Sequence, residues 1–249
     1  MIQELRKKTD RKTSSSVGSN FSWLGGLIQT TDTLFPSGGY AHSYGLEERI
    51  ALGTICSMED LEDFLHHEIL PNLEKMELPY LRFCFSKVEL KDYKSLLHLN
   101  EEISALKLTR EIREAGISQG TQMIRMIREI YQCPITENFE RLLNETGEQA
   151  QQITTTALLR NAQSIPLTST LIAWVYQAVS NFCSASVKLL RLGEVACQKA
   201  IHRCMEPEKL STLLSASMKV KKENAGFFNP LLDIASARHE LAFSRLFIS

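Results

Sequence analysis

Along most of the chain the apolar residues recur every three or four positions, the period that gathers them on one face of a helix. The stretch "SMEDLEDFLHHEILPNLEKM" (57–76) is the clearest case. Ser57 is a candidate N-cap with Asp60 three residues on, and Leu61, Leu65, Ile69 and Leu73 follow at steps of four with Phe64 beside them. This predicts an amphipathic helix bent at Pro71. The stretch "EEISALKLTREIREAGISQGTQMIRMIREIYQ" (101–132) predicts a longer helical region, with Ile103, Leu106, Ile112, Ile117, Ile124, Ile127 and Ile130 as its apolar stripe. Gly116 and Gly120 share one face of it. Each costs about 1 kcal/mol relative to alanine in a helix interior, so the pair predicts close passage of another helix. The charged run from Lys107 to Glu114 reads as a solvated face with i, i+4 pairing. Pro207 and Pro230 stand where a first helical turn accepts proline, the second behind Asn229 as cap. No alternating β-branched run and no hairpin signal occurs. The prediction is an all-α fold: one globular bundle of about eight to ten helices over residues 21–249. The basic, serine-rich segment 1–20 is read as a disordered tail with no apolar signal-peptide core.

One stretch raises the question of a membrane. Between Asn161 and Val187 there is no charged residue, and the run is long enough to span a bilayer. It also carries Thr168, Ser169, Thr170, Gln177, Ser180, Asn181, Ser184 and Ser186, a heavy polar load for a lipid-facing helix. Burial in a bundle, or against a second copy of the chain, is the preferred reading.

Composition changes this picture little. Of 249 residues, 43% are apolar and 23% charged, with a formal net charge of −1, which argues against a general nucleic-acid or anionic-membrane binder. The six cysteines (Cys56, Cys84, Cys133, Cys183, Cys197, Cys204) form no C-x-x-C pair and read as buried reduced thiols. Cys197, His202 and Cys204 come closest to a metal set, but residues two apart on a helix point apart. No P-loop, dinucleotide fingerprint, zincin motif, nucleophile elbow or EF-hand is present. Neither a resident metal nor a cofactor is expected.

The segment "LFPSGGYAHSYGLEERI" (34–50) is unusually dense in special residues. Its Ser-Gly-Gly turn could offer backbone N–H groups to an anion, but the nearest cation is Arg49. His42, Ser43 and Glu47 could act as acid–base partners, which leaves a helical hydrolase using His42 and Glu47 as the alternative reading. The default is a turn that starts a helix, with Tyr40 and Tyr44 on one face and suited to protein contact.

Four stretches, in order, resemble the UreF family of urease accessory proteins: "TDTLFPSGGYAHSYGLE" (31–47), the segment from Thr109 to Gly120, "YQAVSNFCSASVKLLRLGEVACQ" (176–198) and "NPLLDIASARHELAFSRLFIS" (229–249). The resemblance implies an all-helical, homodimeric, cytoplasmic protein that is not an enzyme. It implies partners: a UreD/UreH-type accessory protein, the UreG GTPase and apo-urease, to which nickel is delivered, with tuning of GTP hydrolysis as a further role. It places partner contacts at Tyr40, His42, Tyr44 and Glu47 in the first stretch. In the central one it places Tyr176 and Lys188 towards the GTPase. In the last it places Arg238, Arg245 and Phe247, with the arginines on one face of the final helix and "SRLFIS" ordering on the UreD/UreH-type protein.

Overall fold

The structure, a computed structural model, describes residues 21–32, 34–35, 42–131, 133–243 and 245–247. The tail expected over 1–20 and the partner contact expected at Tyr40 lie outside the described residues. Eleven α-helices and no strand occur among them. They are α1 (Leu24–Thr31), α2 (Leu46–Ala51), α3 (58–89), α4 (Tyr93–Leu106), α5 (Arg110–Met126, running on to Tyr131), α6 (Ile135–Thr146), α7 (Gln152–Ala162), α8 (Leu167–Leu189), α9 (Glu194–Cys204), α10 (Pro207–Lys219) and α11 (Pro230–His239). The all-α reading holds, and short α1 and α2 take the count just above the range expected. No helix of the structure is long and apolar enough to cross a membrane.

Helix α3 starts as its sequence dictates. Ser57 accepts the N–H of Asp60, and the Asp60 carboxylate accepts the N–H of Ser57, closing a capping box. The helix then continues through Pro71 and Pro79 by widening. Leu70 donates to the carbonyl of Leu65, and Leu78 to that of Leu73, so a π-turn precedes each proline. The wider turn eases the clash between a proline ring and the carbonyl four residues back.

Helix α7 lies at the centre, packed on α3 and α5, and Ile153 through Arg160 are all buried. Fully buried Arg160 has carbonyl and hydroxyl partners: Leu27, Thr30 and Thr31 at the end of α1. Burial lowers its pKa to about 10. The uncharged run is covered largely by the chain itself, since most of the circumference of α8 is buried against α1, α2, α3, α9 and α10.

Helix α5 corrects the expected stripe. Its buried face is Glu111, Ala115, Gly116, Gln119, Gly120, Met123 and Met126, while Ile112, Ile117 and Ile124 are half-buried and Ile130 is exposed. The glycines do mark a close approach, but by the segment leading into α7. A Cβ on Gly120 would fall 2.1 Å from the carbonyl oxygen of Ala150, and one on Gly116 2.1 Å from Lys107 Nζ. The expected solvated face from Lys107 to Glu114 holds only for exposed Arg110 and Glu114, whose side chains approach to 3.9 Å. Lys107 and Glu111 turn inward.

The turn before α2 is set by two left-handed residues, Tyr44 (φ 50°) and Gly45 (φ 83°). Helix α11 lies directly over it, and a Cβ on Gly45 would meet the backbone nitrogen of Ser236 at 3.1 Å. Gly45→Ala is expected to destabilise the fold by about 2 kcal/mol, from left-handed strain plus this contact. Gly53→Ala, with φ 71° but open space around it, carries the strain alone. Denaturant unfolding of both variants isolates the contact as their difference; equal losses would mean that α11 does not rest on the turn.

Candidate functional site

The start of α2 and the segment from Ser236 to Phe247 meet in a polar clasp. Glu47, in the first turn of α2, accepts the backbone N–H of Leu246 at 2.7 Å and that of Phe247 at 3.0 Å. His239, at the end of α11, places Nε2 3.0 Å from Glu47 and Nδ1 2.8 Å from Glu111 of α5. Ser236 bonds Glu111 at 3.3 Å and meets the Thr109 hydroxyl at 3.1 Å. Arg245 brings a guanidinium within 3.6 Å of Glu111, and Arg238 pairs with Glu48 at 2.7 Å. Phe247 is buried, with the Lys188 ammonium 5.6 Å from its ring centre. The buried polar groups of Glu111 and His239 need several partners at once, and this network supplies them.

Six of the residues singled out in the sequence therefore lie in or beside the clasp: Tyr44 in the turn before it, then Glu47, Lys188, Arg238, Arg245 and Phe247. The structure corrects one placement. Arg238 and Arg245 do not share a face of the last helix, because α11 ends at His239 and Arg245 follows in a tail folded back on Glu47. Residues 245–247 are already seated on this chain's own surface. Tyr176 stands apart from Lys188 on α8, twelve residues away, which is about 18 Å along the axis and a turn of roughly 120°. Tyr176 is 37% exposed, so it is not a core tyrosine.

Below the turn lies a cavity of about 100 Å³. Tyr44, Glu77, Lys107, Trp174, Gln177 and Asn181 contribute to its wall. Burial pushes the Tyr44 hydroxyl up to about 12, with the Glu77 charge adding to the shift. Burial also holds the Lys107 ammonium down at about 8, although Glu77 opposes the change. The Glu77 carboxyl is raised by burial, against hydrogen bonds from Trp174 and Asn72.

His42 is buried and packs at 5.9 Å from the Tyr44 ring. Burial first, then the Lys107 charge, lowers its pKa to about 4. The unfolded chain protonates His42 below about pH 6.5, while the folded chain resists to about pH 4. The stability from keeping this ring neutral is thus complete above 6.5 and is lost as pH falls through that window. Between pH 7 and pH 5 the loss is about 2 kcal/mol. Unfolding free energies of wild type and His42→Gln at these two pH values check it: the variant's drop should be smaller by that amount, and equal drops would contradict the assignment.

The expected acid–base pairing of His42 with Glu47 is not what Glu47 is positioned for, since its two oxygens hold His239 and the tail amides. Four cysteines are buried, Cys133 is half-buried and Cys56 is exposed. Burial drives the thiols of Cys84 and Cys183 up to about 12, away from thiolate chemistry. Cys197 and Cys204 face inward on α9 while His202 faces out. Among the described residues no three His, Cys, Asp or Glu side chains are grouped to hold a metal ion.

His239, Glu111 and Arg160 are among the polar residues that sequence reasoning missed. Glu111 carried a signal: it lies four residues before Ala115 and eight before Gln119, on the stripe that the glycines mark.

A sequence model of the UreF family matches residues 55–205, more than half of the chain. The chain belongs to the UreF family. Similar relatives extend the match to nearly its full length. Urease accessory protein UreF of Actinobacillus pleuropneumoniae serotype 5b (strain L20) is 26% identical over 226 residues, covering 91% of this chain and 99% of the relative. The proteins of the same name from Marinomonas sp. (strain MWYL1) and Pseudoalteromonas translucida (strain TAC 125) are 25% and 27% identical; each match covers 90% of this chain and 93% of the relative. The UreF family segment contains Glu77, Lys107, Glu111, Tyr176 and Lys188. Glu47 and the C-terminal half of the clasp fall outside it.

Proposed function

We propose that this chain is a non-enzymatic assembly factor in urease maturation. It works as a cytoplasmic homodimer that holds a UreD/UreH-type accessory protein and the UreG GTPase in one geometry, so that nickel passes to apo-urease. It keeps no nickel or cofactor of its own, and tuning of GTP hydrolysis belongs to the assembled complex. Membership of the UreF family and the names of its relatives support the pathway.

The observation that carries the scaffold reading is the outer surface of the C-terminal end. Leu231, Ile234, Leu241, Phe243 and Leu246 are all exposed, with Leu241 at 84%. Single exposed apolar residues are ordinary, but five within sixteen positions, on a segment fastened by the clasp, suit a protein partner. The clasp fixes Phe247 inward and leaves Leu241 and Phe243 outward for the UreD/UreH-type protein. Tyr176, a large half-exposed aromatic, is the contact proposed for the GTPase.

The test is capture by purified partners. Leu241→Asp with Phe243→Asp should abolish capture of the UreD/UreH-type protein while circular dichroism and the dimer stay unchanged. Tyr176→Ala should weaken capture of the GTPase alone. Undiminished capture by the first variant would move the contact off the C-terminal end.

A further inference from the structure

The cavity below the signature turn brings two opposite charges to one small space without letting them touch. Glu77 reaches it from the second π-turn of α3, and Lys107 from the C-cap position just after α4. Both line its wall, yet no ion pair within 4.0 Å joins them. Each is held from behind. The Glu77 oxygens accept Asn72 Nδ2 at 2.9 Å and Trp174 Nε1 at 2.7 Å. Lys107 gives one N–H to Gln151 at 2.9 Å, and two of its three donors remain. The side-chain amides of Gln152 and Asn181, also in the wall, make no hydrogen bond within the described chain.

We propose that this cavity is a binding site for a small zwitterion of the amino-acid type, with the ligand's carboxylate at Lys107 and its ammonium at Glu77. Size and charge restrict the choice. The space is below the roughly 300–1,000 Å³ of sites for drug-sized ligands, which excludes a nucleotide, and suits a molecule of about five heavy atoms. A simple anion would satisfy Lys107 but face Glu77. A simple cation would satisfy Glu77 but face Lys107, and among the described residues no group of three His, Cys, Asp or Glu side chains stands here to hold a metal ion. A zwitterion meets both charges and leaves its remaining lone pairs and N–H groups for Gln152 and Asn181. The displaced pKa of Lys107 agrees, since burial lowers it more than the distant Glu77 raises it. The site is separate from the partner surfaces proposed above and does not depend on them.

Trp174 is a built-in reporter, because its indole N–H is bonded to Glu77. The chain has two tryptophans, so Trp23→Phe isolates its signal. The full-length Trp23→Phe protein is titrated with glycine, and separately with acetate, methylammonium and acetamide. Glycine should give a saturable change in Trp174 emission with a millimolar Kd, and the other three should bind at least ten-fold more weakly. Glu77→Gln and Lys107→Met, each checked for native circular dichroism, should weaken glycine at least ten-fold. No saturable response at about 0.1 M glycine, a hundred-fold above a millimolar Kd, would overturn the site and leave only water in the cavity. Acetamide binding as tightly as glycine would also overturn it, by showing that the cavity reads a neutral dipole. If either variant fails to fold, the four-ligand comparison on the Trp23→Phe protein still decides the question.

Discussion

Glu47→Ala is expected to lower the stability of the folded chain by about 4 kcal/mol, the scale for removing one member of a buried hydrogen-bonded charge cluster. Three groups lose a partner together: the ring of His239, which is 1% exposed, and the N–H groups of Leu246 and Phe247. Glu111 and Arg245 cannot take over, because Glu111 approaches the other ring nitrogen. The tail after His239 should then become the first site of proteolysis, with loss of Phe247 from its seat beside Lys188. Arg238→Ala is the contrast. Its guanidinium is 58% exposed and pairs with Glu48 at the surface, so its loss should cost below about 1 kcal/mol. Denaturant unfolding with limited proteolysis checks both. A Glu47→Ala protein as stable and as protease-resistant as the Arg238→Ala protein would show that the clasp does not hold the tail. Lys188→Ala belongs to the same experiment: it should loosen the tail by removing the cation over Phe247, and leave Tyr176 in place.

Gly120→Ala is expected to cost about 3 kcal/mol or more, although alanine is the better helix former by about 1 kcal/mol. The added methyl would stand 2.1 Å from the Ala150 oxygen and 2.7 Å from its carbonyl carbon, so main chain has to move, not a side chain. That main chain leads directly into α7, the buried helix on which α3 and α5 pack. Gly25→Ala, in α1 with nothing within 4 Å of the new atom, should be neutral or slightly stabilising. Thermal unfolding of the two variants separates packing from propensity. A Gly120→Ala protein as stable as wild type would mean that α5 and the Ala150 turn are free to part.

What the sequence disclosed follows from the range of the interactions involved. The start of α3 was legible because its capping box is complete within four residues, and the start of α11 because Asn229 caps Leu232 three positions on. The glycine pair disclosed a close approach but not its partner, since nothing local distinguishes an incoming helix from the turn at Ala150. Glu111 and Lys107 were read as solvated because they stand in a run of charges. Their inward direction is set by His239, Ser236 and Gln151, from 44 to 128 residues away. Arg160 has the same history: its partners on α1 are about 130 residues earlier. The clasp residues Glu47, Arg238, Arg245 and Phe247 were singled out through family resemblance. Their meeting in space has no signature in the spacing, because Glu47 and Phe247 are 200 residues apart.

The central claim is that this chain is needed to mature urease and does so by holding partners. Activation of purified apo-urease by nickel, GTP, UreG and the UreD/UreH-type protein tests it most directly, with and without this chain. The account predicts strong activation only when the chain is present, and activation reduced to the chain-free level by Leu241→Asp with Phe243→Asp. Equal activation in the absence of the chain would contradict it.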